Sequence, residues 1–123
     1  MSTHTIPLPW DRPPLTLNQR LHWAEKGARV REVRRAAHWQ MLALEVPELG
    51  PVEAVLHWRP VDNRRRDQDN PMPTLKALLD GTVQAGVLPD DDRRHVVRSY
   101  CLIHDADKTK GAAMWLELTE VEQ

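Results

Sequence analysis

Between Gly27 and Glu45 the apolar residues Val30, Val33, Ala37, Met41 and Leu44 recur at intervals of three or four. That spacing gathers them into one stripe along a helix, and such a stripe needs a second surface to cover it. Just beyond the Pro47–Pro51 segment the period changes. Val52, Ala54, Leu56 and Trp58 now alternate with Glu53, Val55, His57 and Arg59, as in a strand with one buried face. At 123 residues the chain has room for one core and little else, so a single domain spanning residues 1–123 is expected.

The other elements follow from the same rules. Thr3–Pro9 suits a short edge strand with Ile6 and Leu8 inward, because prolines are tolerated at sheet edges. Trp10–Leu17 is too rich in proline for regular structure. Thr74 is placed to cap a second helix with Leu75, Leu78, Leu79 and Val83 on its core side and Gly86 closing its end. A loop over 87–92, a strand over His95–His104, a charged hairpin over Asp105–Gly111 and a final strand over Ala113–Val121 complete the chain. The expected fold is α+β, a small mixed or mostly antiparallel sheet packed with two main helices.

No apolar run approaches the ~20 residues that cross a bilayer, and the first residues lack the layout of a secretory leader. A cytoplasmic protein without a membrane partner is expected. Cys101, the one cysteine, lies in the apolar run VVRSYCLI and reads as a core residue rather than a reactive thiol. The net charge of −1 conceals an asymmetry: residues 1–66 carry 11 Lys/Arg against 7 Asp/Glu, and residues 67–123 carry 6 against 11. A basic region can meet phosphates while acids elsewhere hold cations. Arg31, Arg34, Arg35 and His38 share one exposed face of the first helix, which is either a solvated surface or a phosphate contact.

Chemistry concentrates in RRRDQDN, residues 64–70, which contains no apolar side chain. Asp67 and Asp69, at i and i+2 on extended backbone, point the same way and together suit one hard cation. An EF-hand reading fails, because the positions that should hold an acid and a glycine are Pro71 and Met72. A second acidic group, Asp90, Asp91 and Asp92, follows the second helix. If the fold unites the two groups, three or more carboxylates converge on an oxygen-rich site for Mg²⁺ or Mn²⁺. Lys76 would add positive charge there, or else simply pair with Asp80 one turn on.

CxxC, HExxH, G-x-S-x-G and Gly-rich phosphate loops are all absent, and the six histidines lack zinc-ligand spacing. Trp58 and Trp115 read as core. Trp10 and Trp23 lie in irregular segments, where stacking on an exposed base is an option beside core packing.

Taken in order, Arg64 to Asn70, then Leu75-Lys76-Ala77-Leu78-Leu79-Asp80-Gly81, then Ala85-Gly86-Val87-Leu88-Pro89-Asp90-Asp91 resembles the signature of the RusA-type Holliday-junction resolvases. The connection Pro71–Thr74 is longer than is typical of that family. The resemblance implies a homodimer that makes paired, Mg²⁺-dependent nicks in four-way junctions. Asp67 and Asp69 match the paired catalytic aspartates, Asp91 the third metal-binding aspartate with Asp90 beside it, and Lys76 the active-site lysine. Arg64, Arg65 and Arg66, with Arg31, Arg34 and Arg35, would hold the DNA backbone. Two other functions fit the composition: a non-catalytic protein that binds branched DNA, and a metal-dependent phosphohydrolase acting on small nucleotides.

Overall fold

The alternation at Val52–Arg59 becomes an interior strand of a four-stranded sheet. In a computed structural model that describes residues 2–122, the elements are β1 (Thr3–Pro7), α1 (Trp23–Ala43), β2 (Val52–Arg59), α2 (Met72–Gln84), β3 (Val96–Ile103) and β4 (Ala113–Glu120). The strand order is β1-β4-β2-β3. β4 runs antiparallel to both β1 and β2, whereas β2 and β3 are parallel. The sheet is therefore mixed, and the chain is a small single-domain α+β protein.

Parallel neighbours need a crossover, and α2 supplies it. This arrangement overturns the expected hairpin at Asp105–Gly111: β3 and β4 are consecutive in sequence, yet β2 lies between them. The segment joining them instead spans the end of β2, where Arg59 Nε donates to the Gly111 carbonyl at 2.8 Å.

One sheet face is covered by both helices. Ile6, Ala54, Leu56, Cys101, Leu116 and Leu118 are buried there with Val33, Ala37 and Met41 of α1 and Leu75, Leu78 and Leu79 of α2. Leu44, the last residue of the expected stripe, is instead 47% exposed, because α1 stops at Ala43. The opposite face carries no helix, and its own side chains shield it. His57 stacks on Trp115 and His104 at 5.1 and 5.0 Å between ring centres, so Trp115 belongs to this outer layer and not to the core. The same layer buries Val55 and His57, which strict alternation assigns to solvent.

Both helices begin earlier than their sequence signals. α1 starts at Trp23, its first turn capped by His22 Nδ1, which accepts from the Ala24 amide at 3.2 Å. α2 starts at Met72 behind Pro71, with Pro73 in the first turn, where no amide donor is missed. Thr74 is thus inside the helix. Its hydroxyl donates to the Leu15 carbonyl at 2.7 Å and accepts from the Leu15 amide at 3.1 Å, tying the proline-rich segment to α2.

α1 and α2 approach closely at Gly81. A Cβ there would overlap the Arg34 carbonyl oxygen and lie 2.8 Å from the Ala37 Cβ. Alanine is the better helix former by about 1 kcal/mol, but the obstruction includes rigid backbone. Gly81→Ala should therefore destabilise the protein by about 1–3 kcal/mol, read as a lower urea midpoint at unchanged slope.

Candidate functional site

The loop carrying the first two aspartates is pinned at several points. Gln68 Oε1 accepts from the Ile103 amide, fixing the loop to the end of β3, and Asn63 Oδ1 accepts from the Ala106 amide at 2.7 Å. Two turns then lead into α2, with the Asn70 amide donating to the Asp67 carbonyl and the Met72 amide to the Asp69 carbonyl. Asp67 and Asp69 stand exposed on this frame. Asp67 lies 3.5 Å from Arg65, and Asp69 has no charged partner within 4 Å among the described residues. Beside them, the Asn70 side-chain oxygen is buried without a hydrogen-bond partner.

The three arginines divide their work. Asp62 receives Arg64 at 2.9 Å and Arg66 at 2.8 Å, bonds that hold its carboxyl far below the usual aspartate range. Arg66 also lies 4.9 Å above the Trp58 ring and is 15% exposed, so it braces the loop. Arg65, 90% exposed, reaches solvent next to Asp67.

The second acidic group is not stranded at the far end of α2. After Gly86, which adopts φ 82°, the chain buries Val87 and Leu88 and returns along the helix. Lys76 Nζ then donates to Asp91 Oδ2 at 2.6 Å and to Asp80 Oδ1 at 3.2 Å. The ammonium bond holds the Asp91 carboxyl below its ordinary value, and the same bond raises Lys76. Lys76 is one helical turn beyond Met72, whose amide bonds to Asp69, so both acidic segments border the first half of α2.

The three consecutive acids differ in their hydrogen-bond partners. Asp90 Oδ1 accepts from the Asp91 amide at 2.7 Å. Asp92 closes the turn into β3, accepting from the amides of Arg94 and His95 and from the His95 ring, and that ring bond lowers its pKa. Only Asp91 is turned onto α2.

Among the described residues, no three His, Cys, Asp or Glu side chains are gathered closely enough to hold a metal ion. The expected convergence of three carboxylates is therefore not preformed: Asp67 and Asp69 share one loop, while Asp91 is engaged by Lys76. The donors of that loop nonetheless suit a hard cation, being exposed carboxylates beside an unpartnered amide oxygen.

On α1, Arg31, Arg34, Arg35 and His38 line an open cleft with Trp39 and Gln84. None of these cations has a carboxylate within 4 Å among the described residues, unlike Arg29, Arg64, Arg65, Arg66 and Arg98. Cys101 is buried against Met72, and its thiol is pushed up to about 12 by burial and then by Asp69, in keeping with a core residue. Sequence reasoning missed the Lys76–Asp91 contact, which joins residues fifteen positions apart, and the stacking of Arg66 on Trp58.

No helix of the described residues is long and apolar enough to cross a membrane. The fold and its paired acidic segments define a small α+β protein with a carboxylate loop ahead of its crossover helix. No protein-family model matches the chain. It is 30% identical over 126 residues to a protein of Xylella fastidiosa (strain Temecula1) described as uncharacterized, an alignment covering 97% of this chain and 78% of the relative. The chain belongs to one family with that protein.

Folding lowers the Asp91 pKa, so the Lys76 contact contributes stability above the unfolded value of about 3.9 and loses it as pH falls through the folded value. Lys76 is 65% exposed and solvent-screened, which limits the contribution to less than about 1 kcal/mol. Asp91→Asn should accordingly melt slightly below the wild type at neutral pH. The two melting curves should coincide once the pH is well under the aspartate range.

Proposed function

We propose that this protein is a Mg²⁺-dependent endonuclease of the RusA type that nicks branched DNA, working as a homodimer on four-way junctions. One observation carries the reading: the chain after α2 doubles back, so that Asp91 meets Lys76 on the helix that begins directly behind Asp67 and Asp69. The first and third motif segments of the resemblance thereby reach the helix that carries the second. The particular spacing of arginines, paired aspartates, lysine and second acidic group has no other evident use in so small a fold.

In this reading Asp67 and Asp69 hold the cation, with Asp91 as the third acid and Asp90 beside it. When bound, Mg²⁺ (or Mn²⁺) supplies Lewis-acid polarisation of a phosphodiester. Lys76, kept charged by Asp80 and Asp91, places a positive group beside the phosphate as negative charge builds on it. Arg65 meets the backbone next to the scissile position. Arg64 and Arg66 shape the loop through Asp62, and their outer edges add positive potential.

Among the described residues Arg31, Arg34 and Arg35 have no carboxylate within 4 Å, and in this reading they form a second phosphate-binding surface on α1. Shape-selective binding rests on such backbone contacts. A homodimer suits the substrate, since two sites related by a two-fold axis match a two-fold junction. Action on chromosomal or phage recombination intermediates places the protein in the cytoplasm.

With a labelled four-way junction and Mg²⁺, the wild type should nick symmetrically. Asp67→Asn should lose cleavage by a factor of roughly 100 or more while keeping or tightening junction binding, because a charge that repels phosphate is removed. Cleavage by Asp67→Asn at the wild-type rate contradicts the assignment. Binding without any nick by the wild type favours a non-catalytic branched-DNA protein, and turnover of a small phosphodiester with indifference to junctions favours a phosphohydrolase.

A further inference from the structure

Two tryptophans and four arginines line a groove of which the nuclease assignment uses only Arg64 and Arg66. Two adjoining hollows, of about 600 and about 520 Å³, share Asp11, Arg12 and Trp58. The first runs past Trp10 to Arg29. The second continues to Arg64 and Arg66, directly before Asp67. Each lies within the roughly 300–1,000 Å³ typical of sites for small organic ligands.

The groove has a built wall. Trp58 Nε1 donates to the Asp11 carbonyl at 3.0 Å, which fastens the proline-rich segment to β2. Pro9, Pro13 and Pro14 restrict that segment's backbone, and Arg29 Nη1 donates to the Pro14 carbonyl at 3.0 Å. Trp10 packs partly against the core, donates from Nε1 to Glu32 at 3.4 Å and lines the groove. Among the described residues Asp11 is the one acid that lines either hollow, and of the four arginines Arg29 is paired with Glu25, and Arg64 and Arg66 with Asp62, outside the lining. Arg12 is exposed and has no carboxylate within 4 Å among the described residues.

We propose that this groove binds an unpaired DNA strand, with a base against Trp10 and a phosphate on Arg12, and feeds that strand toward Asp67. The inference deepens the nuclease reading and rests on it for DNA as the ligand. A single strand is favoured over a duplex because an indole face can stack only on a base not already stacked within a helix. Hollows of this size hold one or two nucleotides rather than a whole duplex. Their floor is continuous with the arginine run that precedes the acids. On a four-way junction the strand bound there is one freed by opening of base pairs at the branch point.

Fluorescence anisotropy of a short fluorescein-labelled oligo-dT, with the full-length protein and no divalent cation, tests this. The wild type should bind the oligomer, more tightly than a blunt duplex of equal length. Trp10→Leu and Arg12→Gln should each weaken it by roughly tenfold, the scale of one lost base–aromatic stack or a phosphate contact. Arg12 is exposed, so its variant keeps the test valid if Trp10→Leu does not fold. Absent oligo-dT binding, wild-type affinity in Arg12→Gln, or a preference for the duplex overturns the proposal. Failure of the nuclease reading is distinguishable: it appears as no Mg²⁺-dependent nicking while oligo-dT binding and its dependence on Trp10 and Arg12 persist.

Discussion

Burial of Val87 and Leu88 beyond α2 decides how the two acidic segments of this chain relate, and the contact between Lys76 and Asp91 is its result. Thirteen residues of helix separate the loop of Asp67 and Asp69 from the descent toward Asp90, and a chain that simply continued onward would leave those groups at opposite ends. It does not continue onward. Gly86 turns it, Val87 and Leu88 anchor it in the core, and the amide of Leu49 donates to the Val87 carbonyl at 2.8 Å. The electrostatic pairing at Lys76 is weak in itself, being largely in solvent. Its position is set by the apolar burial on either side of it.

The same packing explains why the surrounding loop is specific in shape although it contains no apolar residue. Asp62 gathers two arginines, Trp58 underlies one of them, and Gln68 and Asn63 reach across to the chain leaving β3. Polar groups that satisfy one another in this way hold Asp69 at the surface next to Asp67, which has Arg65 at 3.5 Å.

Much of this architecture was legible in sequence, for reasons particular to each element. The core side of α1 follows from Val33, Ala37 and Met41. Its start does not, because His22 is an unusual cap and Trp23 adds nothing to the buried stripe. The beginning of α2 was obscured by two prolines, one of which caps it while the other sits in its first turn. The supposed hairpin failed because pairing of β2 with β3 is non-local, and alternation alone does not say which strand is the neighbour. Alternation is equally silent on shielding of the outer face, which is why Trp115 and His57 were misplaced. At the site, residue types and spacing pointed to Asp67, Asp69, Asp91 and Lys76. Which of three adjacent acids faces the helix depended on turn hydrogen bonds that no spacing reveals.

What matters most is whether carboxylates on both sides of α2 serve a single divalent ion. Backbone amide spectra recorded while substoichiometric Mn²⁺ is added answer this directly, because paramagnetic broadening marks every residue near the bound ion. The account predicts simultaneous loss of the signals around residues 67–70 and 90–91, reversed by excess Mg²⁺. Broadening confined to one segment, or spread evenly over the acidic surface, would contradict it.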